Sequence, residues 1–160
     1  MWTWTIRSKD MPQRMLYLSI GSNLGDKKDN ILRAVSLLDE AMGARHIRLS
    51  SFMSSRSWGF DGEDFLNVAL SYKTDLPAAD ILKICKEIEQ RIGRQDEGIK
   101  LDAAGKRIYR NRIIDIDIVL LGSEKINTPD LVIPHRDMKE RDFVLIPLRE
   151  IYDGDLNEID

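Results

Sequence analysis

Asp115 and Asp117 stand in the run Arg112-Ile113-Ile114-Asp115-Ile116-Asp117-Ile118-Val119-Leu120, whose β-branched residues favour a strand. Side chains alternate along a strand, so the two carboxylates project from one face while Ile114, Ile116 and Ile118 project from the other. Like charges that close repel and raise a pKa unless a cation or basic side chains neutralise them. Magnesium suits such a pair, because it takes one or two carboxylates and completes its shell with water and phosphate oxygens. An Asp-x-Asp can equally lie on a solvated sheet face. The neighbourhood separates the two readings. Arg94, Lys100, Lys106, Arg107, Arg110 and Arg112 crowd the preceding segment, so cations suited to phosphate run up to carboxylates suited to metal. Phosphoryl-type transfer needs both, since charge shifts between phosphate oxygens as the bond breaks.

Other residues could join that chemistry. His135 and Arg141 lie in the charged stretch Pro134-His135-Arg136-Asp137-Met138-Lys139-Glu140-Arg141. Trp58, Gly59 and Phe60, followed by Phe65 and Asn67, could wall a flat pocket for an aromatic ring, with an amide to pair with ring donors and acceptors; core packing is the rival reading for Phe65. Gly21-Ser22-Asn23-Leu24-Gly25-Asp26 lacks the Gly-Lys-Ser/Thr ending of a P-loop and reads as a strand-to-helix turn. His46 reads as a surface residue.

The elements that must position these groups follow from periodicity. Met15–Ile20 reads as a buried strand closed by Gly21-Ser22-Asn23. Asp26 caps a helix bearing Ile31, Leu32, Val35, Leu38 and Met42, and Gly43 stops it. A strand over Ile47–Phe52 leads into a loop from Met53 to Asp64, and Phe65–Tyr72 forms the next strand. Pro77 suits the first turn of a helix carrying Ile81, Leu82, Ile84, Cys85, Ile88 and Ile92, ended by Gly93. A long basic loop, Arg94 to Arg112, precedes the strand Ile113–Leu121, and the apolar stretch Phe143–Leu148 packs the end. Strand, helix, strand, strand, helix, strand is the split βαβ order of a ferredoxin-like α+β fold, an antiparallel sheet with helices packed on it and long active-site loops.

With 160 residues and 42% hydrophobic content, one domain over residues 15–160 is expected, preceded by a flexible leader at 1–14. The balance of 24 basic against 27 acidic residues, net −3, gives no general electrostatic case for nucleic acid or a membrane surface. No apolar run suits a membrane helix, and the first ten residues make a poor secretory signal. A single cysteine, Cys85, cannot form an internal disulfide. A cytoplasmic monomer is the expectation.

Taken together, Gly21-Ser22-Asn23-Leu24-Gly25-Asp26, Phe65-Leu66-Asn67, Gly93-Arg94, Arg112-x-x-Asp115-x-Asp117, Pro134-His135 and Arg141-x-Phe143-Val144-Leu145-x-Pro147-Leu148 closely resemble the 6-hydroxymethyl-7,8-dihydropterin pyrophosphokinase family from about Met15 to Ile151. The resemblance implies a ferredoxin-like fold and a step of folate synthesis, with the terminal pyrophosphoryl unit of ATP passed to the pterin hydroxymethyl oxygen and AMP released. It implies that Asp115 and Asp117 hold two magnesium ions and that Arg94 and Arg112 steady the transferring group. His135, Arg141 and Arg112 would meet ATP phosphates, with the Ile118 backbone facing adenine. Asn67 would read the pterin edge between Phe65 and Phe143, with Ser55 and Trp58 lining the pocket.

The sequence departs from the family in two loops. Tyr109-Arg110-Asn111 stands where Trp-Gly-Pro is common, so a lid would be built from Tyr109 and Arg110 in a longer loop than in many members. Ser55-Arg56-Ser57 replaces the usual Thr and Pro-rich stretch. Two other readings compete: a non-catalytic ferredoxin-like module, although the basic-aromatic motif of an RNA-binding version is missing, and a folded but inactive paralogue with a changed lid.

Overall fold

The computed structural model describes residues 12–55, 64–93 and 113–159. Among these described residues seven strands and three α-helices follow in order: β1 Arg14–Ser22, α1 Lys27–Met42, β2 Arg48–Leu49, β3 Met53–Ser55, β4 Phe65–Thr74, α2 Ala78–Ile92, β5 Asp115–Leu121, β6 Ile126–Asn127, β7 Val132–Ile133 and α3 Asp142–Ile151. Counting β2 and β3 as one interrupted strand, the main sheet runs β2/β3-β4-β1-β5 with antiparallel neighbours. That is the split βαβ order expected of an α+β fold. Among the described residues no helix is long and apolar enough to cross a membrane.

The faces of the sheet differ. Leu16, Leu18 and Ile20 of β1, Val68, Leu70 and Tyr72 of β4, and Ile116 and Ile118 of β5 meet the apolar stripes of α1 and α2. α1 begins where the Asp26 carboxylate accepts the Asp29 amide at 3.1 Å, and it ends at Gly43, whose φ of 68° is cheap only for glycine. Leu32, expected on the buried stripe, is 44% exposed, because it sits about 100° around the helix from Ile31. α2 starts after Pro77, which caps the helix from outside it, and ends at Gly93.

The opposite face carries a second cluster around Tyr17, Ala69, Val119 and Leu120, covered by Val144, Leu148 and Ile151 of α3. The apolar stretch Phe143–Leu148 is therefore helical, even though Pro147 has no N–H to give the Phe143 carbonyl four residues back.

Several boundaries differ from the expectation. Arg14, assigned to the leader, is the first residue of β1 and pairs with Glu124 at 2.6 Å. The strand expected at Ile47–Phe52 is broken, because the Ser50 hydroxyl takes the Ala69 amide at 2.8 Å and interrupts the ladder. Beyond that break, Met53–Ser55, expected in a loop, resumes pairing with β4. The expected strand Ile113–Leu121 is paired from Asp115 onward.

β5 contains one extra residue. Leu18 pairs with Ile118 but Tyr17 pairs with Leu120, so Val119 is a bulge. Val119 and Leu120 consequently both join the α3 cluster, and Leu121 returns to the α1/α2 side.

Candidate functional site

Part of the sheet face opposite α1 and α2 carries polar side chains. Asp115 and Asp117 share it, both half-buried, while Ile114, Ile116 and Ile118 are buried on the other side, as alternation requires. Across β1, Asp115 faces Gly21 and Asp117 faces Ser19, so no bulky side chain crowds the carboxylates from the neighbouring strand. One strand further, Gly21 pairs with Asn67. Adjacent strands lie about 4.8 Å apart, which puts the Asp115 and Asn67 backbones about 10 Å from each other.

Asn67 is 3% exposed, and its Nδ2 donates to the Ser55 hydroxyl at 2.8 Å. That bond sets the orientation of the amide. A Cβ at Gly21 would lie 2.8 Å from Asn67 Oδ1 and 3.5 Å from Phe65 Cδ1, so glycine is what lets this amide and the half-buried Phe65 ring lie over β1. Ser55 reaches Asn67 only because β3 pairs with β4, Ser55 opposite Phe65 and Met53 opposite Asn67.

The rim is supplied by the segment after β7. The Ile133–Pro134 peptide is cis, and the His135 amide donates to the Val119 carbonyl at 2.9 Å, the carbonyl of the bulge. His135 Nδ1 faces the Asp137 amide at 3.2 Å and accepts from it. The neutral ring therefore carries its proton on Nε2. Burial lowers the pKa of this imidazole, with Asp137 and Asp115 pulling the other way and Arg141 and Arg136 reinforcing the fall. Arg141 pairs with Asp137 at 3.1 Å and sets its guanidinium 5.7 Å from the centre of the half-buried Phe143 ring.

A pH effect follows. Above about 6.5, the ordinary histidine value, the ring is neutral in folded and unfolded chains alike. Below it the unfolded chain binds a proton that the folded chain resists, so the stabilisation is lost as pH falls through the lowered folded value. His135→Gln is expected to remove this component of the pH dependence of unfolding, measured by denaturant titration between pH 7.5 and 5; an unchanged pH profile would count against the buried neutral ring.

The Ile118 backbone sits at the open side of β5. The Ile116 amide points away from β1, since it donates to Glu89 of α2 at 2.9 Å, and orientations repeat every second residue, so the Ile118 N–H and C=O point outward too. Asp115, Asp117, Asn67, Phe65 and Ser55 are thus gathered on one sheet face, with His135, Arg141 and Phe143 in the segment anchored beside β5 and entering α3. Arg94, Arg112, Trp58, Tyr109 and Arg110 lie outside the described residues, as do Lys100, Lys106 and Arg107. His46 is tied to Asp39 at 3.1 Å beside the Tyr72 hydroxyl at 2.5 Å, a structural arrangement at the end of α1.

Sequence reasoning gave Gly21 a turn rather than a place beneath Asn67, and passed over Glu89. Glu89 had a visible signal, a charged residue four places after Cys85 on an otherwise apolar stripe. Gly21 had none, because its role depends on which side chain its cross-strand neighbours lay over it.

Residues 17–153 match the family described as 7,8-dihydro-6-hydroxymethylpterin-pyrophosphokinase (HPPK). The chain is 37% identical over 139 residues to a 2-amino-4-hydroxy-6-hydroxymethyldihydropteridine pyrophosphokinase of Porphyromonas gingivalis, covering 86% of this chain and 90% of that one. It is 41% identical over 141 residues to the folic acid synthesis protein FOL1 of Dictyostelium discoideum, covering 86% of this chain but 19% of that longer one. Among solved structures, the Plasmodium falciparum HPPK-DHPS A437G variant with pteroate aligns at a TM-score of 0.62 and 14% identity, over 92% of this chain and 41% of that one. That last likeness is one of fold, and the chain spans about two fifths of that larger protein. With the family's pattern running through residues 17–153 and over a third of the aligned residues shared with a pyrophosphokinase that it covers almost end to end, the chain belongs to the 7,8-dihydro-6-hydroxymethylpterin-pyrophosphokinase family.

Proposed function

We propose that the protein transfers diphosphate from ATP to the hydroxymethyl group of 6-hydroxymethyl-7,8-dihydropterin with magnesium, releasing AMP. The observation that carries this reading is the row Asp115–Gly21–Asn67 across three strands of one sheet face. An oriented amide stands at one end and paired carboxylates at the other, with a side-chain-free position between. A pterin whose edge meets Asn67 extends its hydroxymethyl group toward the carboxylates, and Phe65 and Phe143 supply apolar ring faces for it. Ser55 fixes the amide, and Trp58 is assigned to the pocket wall.

The donor set fits magnesium: two half-buried carboxylates on one face, beside Gly21 and Ser19, leave room for water and phosphate oxygens to complete an octahedral shell. When bound, two such ions would neutralise the phosphate oxygens and lower the pKa of the substrate hydroxyl. Asp115 and Asp117 would hold them. The hydroxymethyl oxygen gives up its proton to water and forms its bond to the β-phosphorus, the bond from that phosphorus to the oxygen shared with the α-phosphate breaks, and AMP departs with the bonding pair. In this reading His135 offers its Nε2–H and Arg141 its guanidinium to ATP phosphates, and the Ile118 backbone pairs with adenine. Arg94 and Arg112 are assigned to the moving charge, and Tyr109 and Arg110 to a closing lid.

Incubation with ATP, magnesium and the hydroxymethyl-dihydropterin is expected to give AMP and pterin diphosphate in equal amounts, abolished by a chelator. ADP in place of AMP, or no product, would overturn the assignment.

Gly21→Ala offers a finer check. Its methyl group would force Asn67 Oδ1 away from a 2.8 Å approach, and a misplaced amide forfeits about 1–3 kcal/mol of pairing with a ring edge. The expected result is pterin affinity weakened about tenfold to a hundredfold by calorimetry, with nucleotide affinity unchanged. Equal pterin affinity in variant and parent would separate Asn67 from the pterin site.

A further inference from the structure

Glu89 is a carboxylate in an unfavourable place. It is 2% exposed and lies in the last turn of α2, where the helix dipole is negative. Burial and the helix dipole act against a carboxylate there, and an apolar side chain would continue the stripe of Ile81, Ile84, Cys85, Ile88 and Ile92.

Its contact gives the reason. Glu89 Oε2 accepts the amide of Ile116 at 2.9 Å, 27 residues away in the chain. Ile116 is the residue between Asp115 and Asp117, and its amide points out of the sheet on the side of β5 away from β1. On the inner side β1 holds Asp115 against Gly21 and Asp117 against Ser19. The peptide plane joining Asp115 to Ile116 is rigid, so a bond to its N–H fixes ψ of Asp115 and φ of Ile116 together. Those are two of the four backbone angles that set the direction of one carboxylate relative to the other.

We propose that Glu89 is a positioning residue for the metal-binding carboxylates, holding the peptide between Asp115 and Asp117 from outside the sheet so that both side chains converge on the same ions. The proposal rests on the function proposed above in taking Asp115 and Asp117 as magnesium ligands. Partners that orient a ligand typically change metal affinity tenfold to a hundredfold when removed.

Two variants separate the hydrogen bond from the charge. Glu89→Gln keeps an acceptor of the same length and loses the charge, while Glu89→Asp keeps the charge and draws the oxygen back from Ile116. The readouts are hydrogen exchange of the Ile116 amide by NMR, Mn2+ binding with a non-hydrolysable ATP analogue by electron paramagnetic resonance, and pterin affinity as a control. In Glu89→Asp, faster Ile116 exchange and Mn2+ affinity lower by about tenfold are expected, with pterin affinity within about twofold. Glu89→Gln is expected to stay close to the parent in all three. The reverse order, with Gln impaired and Asp intact, would assign the effect to charge and overturn the positioning role. So would a loss of melting temperature in Glu89→Asp with Mn2+ affinity unchanged. None of the three readouts needs turnover: a parent protein that binds Mn2+ and shows this pattern without forming AMP would remove the proposed reaction and leave the positioning role intact.

Discussion

Asp117→Ala is expected to lower turnover by about a thousandfold or more while leaving the fold in place. The size follows from what is removed. A carboxylate holding an ion against the developing charge acts in the transition state, and deleting one such electrostatic stabiliser costs about a hundredfold to a thousandfold; losing a direct ligand of the ion, the role proposed for Asp117, belongs at the upper end. The fold should survive because Asp117 is half-buried on the polar part of the sheet and contributes to neither apolar cluster. Unfolding free energy should move by no more than about 1 kcal/mol. Single-turnover measurement of AMP alongside denaturant unfolding checks both halves. Turnover within about tenfold of the parent at saturating magnesium would remove Asp117 from the metal site.

Leu18→Ala is expected to produce the complementary result, a protein that loses stability before it loses chemistry. Leu18 is fully buried in the central strand, between Leu70 of β4 and Ile118 of β5, beneath α1 and α2. Truncation removes apolar contact and leaves a cavity that a strand held on both sides cannot close, which costs about 3–5 kcal/mol. That is a large share of the roughly 5–15 kcal/mol that stabilises a domain. The denaturation midpoint should fall with an unchanged slope. A loss below about 1 kcal/mol would mean that the site relaxes, contrary to packing from two strands and two helices.

The parts of the fold that were legible in the sequence are those fixed by local chemistry. Asp26 and Gly43 bounded α1, Gly93 closed α2, and alternation placed Asp115 and Asp117 opposite the buried isoleucines. Leu32 and Ser50 mark where local rules fail: the first is one residue off an otherwise correct stripe, and the second breaks a strand with a side-chain bond that depends on Ala69 across the ladder. The helix at Asp142–Ile151 was obscured by Pro147 within a short apolar run. The site divides the same way. Residue types and order pointed to metal, phosphate and ring recognition, but the support for Asn67 comes from Gly21 and Ser55 on two other strands, and spacing along one chain does not encode that meeting.

The bulge at Val119 divides β5 into two phases. Before it, odd-numbered residues face the polar part of the sheet; after it, Leu120 takes that side and Leu121 the other. Its carbonyl also carries the His135 amide, so one extra residue offsets the packing half of the strand from the carboxylate half and sets where the histidine segment is hung. Sequence drift in Leu120, Leu121 or the following turn can therefore be absorbed at the offset, without rotating Asp115 and Asp117 off their face. Deleting Val119 would merge the two halves into one reading frame, making the aim of the carboxylates answerable to every change in the turn that follows.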